Sequence, residues 1–288
     1  MKLTDKTKGI LCILAAAFGF AFMTIFVRLA GDLPTMQKAF FRNFVALFVA
    51  VFAMIKSKTS FIPPKEGRIN IICRCLFGTM GLIANFYAID RIGIADANML
   101  NKLSPFFAIL LSIPLLKEVP SPIDIISTII AFIGAIFIVR PTMNLSQTFP
   151  SLIGLLGGFG AGTAYVFVRR LGKQNVKTPL IVFYFSLFSS LITLPQFILD
   201  FKPMTSIQLI FLIMAGISAS LGQFGITTAY KYAPAKEISV FDYTQVVFAA
   251  ILGIFIFSEL PEPLSIIGYI LIIGVAIFRW KYNLKKTT

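Results

Sequence analysis

Histidine is absent from the 288 residues, only three are cysteine, one is tryptophan, and 13% are charged. Without histidine the chain has no ordinary proton shuttle near neutral pH and lacks the commonest metal ligand. Cys12, Cys73 and Cys75 all lie in apolar runs, and Cys73 and Cys75, two positions apart, face different sides of a helix. They read as small packing residues rather than as a disulfide or a zinc site. Soluble domains carry roughly 25% charge, so this composition excludes an ordinary water-soluble protein. No G-x-x-x-x-G-K-[ST] loop is present, since Gly172-Lys173 lacks the flanking residues, and a self-contained ATP-driven pump is excluded with it.

What the chain does have is apolar length: 57% of its residues are hydrophobic, 31 are Phe, and the mean hydropathy is +0.88. A helix needs about 20 apolar residues to cross a bilayer. Charged and Pro-rich breaks divide the sequence into ten such stretches, near 9–30, 37–55, 69–89, 94–116, 121–140, 151–171, 179–199, 206–230, 235–257 and 262–281. The joints leave no room for a soluble domain. Lys2, Lys6 and Lys8 precede a first run longer than a signal-peptide core, so it is expected to be an uncleaved span.

The net charge of +14 is an orientation signal. With the N-terminus inside, the cytoplasmic segments hold most of the basic residues, among them Lys56, Lys58, Lys65, Arg68, Arg169, Arg170, Lys173, Lys177, Lys281, Lys285 and Lys286. The outer segments hold Arg28, Lys38, Arg91, Arg140 and Lys202. Acidic residues divide almost evenly, as expected for a bias that depends on Lys and Arg alone. Both termini are expected in the cytoplasm of a multi-pass protein of the cytoplasmic membrane, and no nucleic-acid partner is implied.

The sequence matches itself at a constant offset of 141 residues. Leu11, Leu14, Phe18, Gly19, Phe26, Val27, Arg28 and Gly31 fall on Leu152, Leu155, Phe159, Gly160, Phe167, Val168, Arg169 and Gly172, and Gly81 and Ala88 fall on Gly222 and Ala229. Glu118-Val119-Pro120-Ser121-Pro122 falls on Glu259-Leu260-Pro261-Glu262-Pro263. Each unit holds five spans, an odd number, so the second enters from the opposite side. Inverted repeats of this kind place a site near the midplane at their interface, and two exchangeable packings give alternating access. The expected division is a first unit over 1–141, a second, inverted unit over 150–282, and a short basic tail over 283–288.

Ten spans in two inverted halves resemble the drug/metabolite transporter superfamily, and within it the EamA-type carriers. The endings Leu115-Leu116-Lys117-Glu118 and Ile256-Phe257-Ser258-Glu259, each before a Gly-bearing fifth helix, carry the resemblance together with Arg42 and Pro105. It covers essentially the whole chain. It implies an all-α integral membrane fold with a central cavity lined by spans one to four and six to nine. It also implies a secondary carrier for a small metabolite: an exporter of an amino acid or related compound, or alternatively an uptake or exchange carrier for a nucleotide- or amino-acid-like one. A membrane-embedded enzyme or an accessory membrane protein is the rival class. A homodimer is left open, and no cofactor is expected.

Several polar groups within spans need an account. Arg42, beside Asn43, either receives an anionic substrate group or bonds backbone carbonyls near the outer end. Arg74 lies close to the cytoplasmic start of its span and is expected to snorkel. Asn98, Asn101, Lys102 and Pro105 share one helical stripe, and at the repeat offset Asn98 meets Ser239, Asn101 meets Asp242 and Lys102 meets Tyr243. With Gln245 these are the leading cavity-lining candidates, the alternative being hydrogen bonds between helices. Asn85, Tyr165 and Gln223 add further candidates. Asp242 is the one acid well inside a span, so it is the ion-coupling candidate and a potential partner for Lys102. Glu118 and Glu259, each followed by prolines, read as hairpin corners. The glycines of 154–162 read as close helix packing.

Overall fold

The computed structural model describes residues 5–116, 121–139, 145–233, 241–258, 260 and 262–285. Within them the chain is built from helices: α1 (Asp5–Leu29), α2 (Thr35–Lys56), α3 (Arg68–Ile92), α4 (Ile94–Asn101), α5 (Ser104–Leu116), α6 (Pro122–Val139), α7 (Leu145–Lys173), α8 (Thr178–Leu199), α9 (Ser206–Tyr232), α10 (Thr244–Phe257) and α11 (Pro263–Lys285). Eight stretches are long and apolar enough to cross a membrane, and Pro122–Phe137 and Val247–Phe257 are shorter apolar helices. The α4–α5 pair counts as one of the eight, because Asp96–Leu115 is apolar across the joint. The Glu118 and Glu259 corners lie outside the described residues, as does Ser239.

Local sequence sets the helix boundaries. Thr205 and Gln208 form a reciprocal capping box at the start of α9, and Pro179 sits in the first turn of α8, where its missing N–H costs nothing. Between α3 and α4 only Gly93 intervenes, at φ 83°, a conformation that glycine adopts without strain. The α4–α5 joint has a chemical cause. Pro105 has no N–H to give and its ring crowds the carbonyl one turn back, so the ladder breaks at Lys102–Leu103. Leu103 N–H then turns to Leu100 O, three residues back, at 3.2 Å. A second interruption, at Tyr243, lies where the repeat offset carries Lys102.

Helix pairing follows the same offset. α1 runs along α9 and α3 along α7, while α2 packs on α8 and α6 on α11. The first two crossings are so close that only glycine fits. A Cβ on Gly19 would come 2.7 Å from Gly222 N, and one on Gly160 would come 2.8 Å from Gly81 Cα. The four residues are the two matched pairs of the repeat. Around these crossings lies the larger apolar core, with Ile13, Ile71, Phe86, Ile89, Val168, Phe185 and Ile226 all buried. Outward faces carry bulk suited to lipid: Phe48, Phe52 and Ile55 on α2 are exposed.

The bundle is tied at both ends. At the end carrying Gly31, Gln37 Nε2 donates to Lys202 O at 2.9 Å and Lys202 N–H donates to Gln37 Oε1 at 3.0 Å. Gln208 Nε2 donates to Ala30 O at 3.0 Å there, and Lys38 pairs with Asp90 at 2.7 Å. At the other end Asn70 donates to Gln174 (2.9 Å), Tyr184 OH to Phe61 O (2.8 Å), and Arg279 pairs with Asp124 (2.6 Å).

Candidate functional site

Between the tied ends lies a cavity of about 70 Å³, walled by α1, α3, α7 and α8 and roofed by polar groups from α2, α4, α9 and α10. Of the residues singled out in the sequence, Arg42, Asn85, Asn101, Lys102, Tyr165, Gln223 and Gln245 line it. Phe20, Met23 and Phe185 supply apolar wall, and Gly78 and Gly81 allow the backbone of α3 to approach. Asn85 also donates to Ala97 O at 3.2 Å, which ties α3 to the start of the broken span. The Tyr165 ring stacks on Tyr230 at 4.9 Å.

The broken span explains how Lys102 reaches this place. The break turns its backbone to φ −74°, ψ 3° and frees its carbonyl. Tyr243 OH donates to that carbonyl at 3.0 Å, satisfying a backbone group that has no water to turn to. The Lys102 ammonium lies 2.6 Å from the Asp242 carboxylate, so the pairing inferred from the repeat is present. Nearby, Gln245 Nε2 donates to Asn98 Oδ1 at 3.1 Å. Asp242, Tyr243 and Asn98 are buried beside the cavity and join the two interrupted spans; the lining does not include them.

One residue departs from expectation, and another takes up a buried place. Arg74 does not snorkel: it is 3% exposed, its Nη2 donates to Gln223 Oε1 at 3.0 Å, and its guanidinium carbon sits 4.1 Å from the Phe185 ring centre. The reason is Gly78, one turn along α3. A side chain there would strike the Arg74 guanidinium and the Phe185 ring, so its absence lets Arg74 fold back over its own helix. Arg42 does not reach out to the surface either. It is 1% exposed, donates to Asn43 Oδ1 at 2.5 Å, and lies 5.6 Å from the centre of the same Phe185 ring. Asn43 in turn donates to Ala39 O at 2.8 Å, one turn back, and serves to hold Arg42. Nothing in the sequence marks Phe185, one of the chain's 31 Phe and set in an apolar run.

A second recess, of about 620 Å³, opens at the Gly31 end between Arg28, Asp32, Lys38, Asp90, Arg91, Asp200 and Lys202. Its lining carries charges of both signs, and two of them, Lys38 and Asp90, are paired with each other.

Residues 7–140 and again 148–279 match the EamA-like transporter family. Among curated proteins, the pseudopaline exporter CntI of Pseudomonas aeruginosa is 32% identical over 93% of this chain and 94% of its own length. Human solute carrier family 35 member G1 is 29% identical over 96% of this chain and 81% of its own. A transporter of Helicobacter pylori is 27% identical, covering 92% of each chain. A solved structure with 17% sequence identity superposes with a TM-score of 0.71, covering 93% of this chain and 95% of that one, which shows a shared fold.

Proposed function

The chain belongs to the EamA-like transporter family, and on that premise we propose that it is a ten-span secondary carrier that exports a small metabolite by exchanging two packings of inverted five-helix halves. The observation that carries this reading is the pair of glycine crossings. Gly19 on Gly222 and Gly160 on Gly81 are the same contact made twice, with the roles of the halves exchanged. Two equivalent contacts of this kind allow one half to rock on the other, and the cavity lies between them. The pairings of α1 with α9 and α3 with α7, and of α2 with α8 and α6 with α11, have the same exchange symmetry. The interruptions at Lys102 and Tyr243 add the discontinuous helices that such carriers use at a central site.

In this reading Arg42, Asn85, Asn101, Lys102, Tyr165, Gln223 and Gln245 receive the substrate, while Asp242 holds Lys102. The termini face the cytoplasm, the Gly31 end faces outward, and the ties at the two ends open in turn. Export is favoured by the likeness to an exporter over nearly the full length of both chains. The test is a transport screen of labelled metabolites with purified protein in proteoliposomes, run in both orientations with and without a proton gradient. Saturable, counterflow-competent movement of at least one compound supports a carrier. Hydrolysis or conversion of a compound with no transport would move the protein to another class.

A further inference from the structure

Five basic side chains are buried among the described residues in places that matter to the bundle, and they divide into two kinds. Lys38, Lys102 and Arg279 each have a carboxylate within ion-pair distance: Asp90, Asp242 and Asp124. Arg42 and Arg74 have none. Their hydrogen-bond partners are the neutral amide oxygens of Asn43 and Gln223, and the Nε of each has no partner at all. Both line the cavity and both lie against one ring, Phe185. A face of that ring attracts cations, but it supplies no net negative charge.

The cavity therefore carries two uncompensated positive charges. The Lys102–Asp242 pair beside it is neutral as a unit and does not offset them. Burying a charge without a counter-ion is strongly unfavourable, and among the described residues no carboxylate is within ion-pair distance of either guanidinium. Each guanidinium spends one Nη on an amide oxygen and rests on the aromatic wall, which leaves the remaining donors of its planar fork for an incoming group. That fork matches the paired oxygens of a carboxylate or phosphate.

We propose that the substrate is a compact organic dianion, bearing two carboxylates or a phosphoryl group, clamped between Arg42 and Arg74. This rests on the carrier reading and sharpens it. The clamp draws on both halves of the chain: Arg42 and Arg74 come from the first, and Phe185 and Gln223, which position Arg74, come from the second. A solute carrying two negative charges neutralises the site, whereas a zwitterion leaves it at net positive charge and a cation is repelled.

The experiment measures melting temperature and exchange with the purified full chain at fixed ionic strength. Succinate, inorganic phosphate, acetate, glycine and putrescine are added in turn to wild type, Arg42→Lys, Arg74→Lys and the two Gln variants. Succinate or phosphate is expected to raise the melting temperature of wild type in a saturable way, with acetate, glycine and putrescine flat. The apparent affinity should fall at least tenfold in the Lys variants, which keep the charge and lose the fork. Gln variants that do not elute as a single species are set aside, and the Lys variants then carry the comparison. Whichever of succinate and phosphate acts at lower concentration assigns the acidic group. If no compound shifts wild type, or if glycine or putrescine acts as well as the dianions, the proposal is overturned. It is overturned too if the Lys variants respond like wild type. Proteoliposome counterflow separates the two readings: dianion binding with no exchange sinks the carrier and leaves the clamp, while exchange of neutral solutes untouched by Arg→Lys does the reverse.

Discussion

Lys102 and Asp242, 2.6 Å apart, join the two interrupted spans of the bundle, and their side chains are 3% and 1% exposed. Among the described residues no other side chain forms an ion pair with the Asp242 carboxylate, and no further hydrogen bond reaches it. Removing a single member of such a pair leaves a buried charge, at a cost of about 3–5 kcal/mol. Asp242→Asn and Lys102→Met are each expected to lower the melting temperature sharply, and the double variant is expected to recover most of the loss. Thermal unfolding of the four forms checks this. If the Asn variant instead folds well but loses gradient-driven transport while retaining exchange, Asp242 couples protons to movement.

Gly78→Ala tests the seat of Arg74. The added methyl displaces the guanidinium and presses on the buried Phe185 ring, so the cost in stability should be about 1–3 kcal/mol, as for overpacking. The protein should fold, and its response to succinate should weaken at least tenfold. A titration unchanged from wild type would mean that Arg74 tolerates the methyl where it stands.

The glycine crossings predict a contrast between two substitutions of the same chemistry. Gly160→Ala drives a methyl into the backbone of α3 and should cost about 1–3 kcal/mol. Gly253→Ala meets nothing within 4 Å and should be neutral or stabilising by about 0.5–1 kcal/mol, as expected for Ala over Gly inside a helix. Denaturation in matched detergent ranks the two, and equal effects would argue against a tight α3–α7 crossing.

Sidedness is tested on a Cys-free background with an impermeant thiol reagent in intact cells. Cysteine at 202 should react, and cysteine at 65 or 177 should react only after the membrane is opened. All three positions are exposed in the structure, so accessibility turns on the side of the membrane alone. Labelling at 177 in intact cells would reverse the assigned orientation.

Much of this was legible in the sequence because membrane folding writes its constraints linearly. Apolar length marks the helices, of which eight are long enough to cross a membrane while Pro122–Phe137 and Val247–Phe257 fall short of the expected span, and the repeat offset places Lys102 near Asp242 before any coordinates exist. Pro105 reads in the sequence as one more member of a continuous helical stripe, whereas the break it imposes at Lys102–Leu103 divides that span in two. Arg74 was misread because its nearness to a helix start suggested an easy route to water. The decisive facts are Gly78, one turn on, and Phe185, more than a hundred residues away, and only the packing of α3 against α8 brings the three together. Tyr243, Asn98 and Asn43 were polar enough to suggest lining, but each is committed to a bond that ties helices or orients a neighbour. Polarity inside a span says that a group must be satisfied, without saying by what.

Gln37 grips Lys202 through the backbone alone, accepting from its N–H and donating to its carbonyl. The lysine side chain takes no part in that tie and is exposed. Any residue with a backbone N–H can stand there, so position 202 is a natural anchor for a fluorophore. A dye at this point would ride on the α8–α9 turn and report each parting from α2 as a change in its surroundings, in single molecules and in real time.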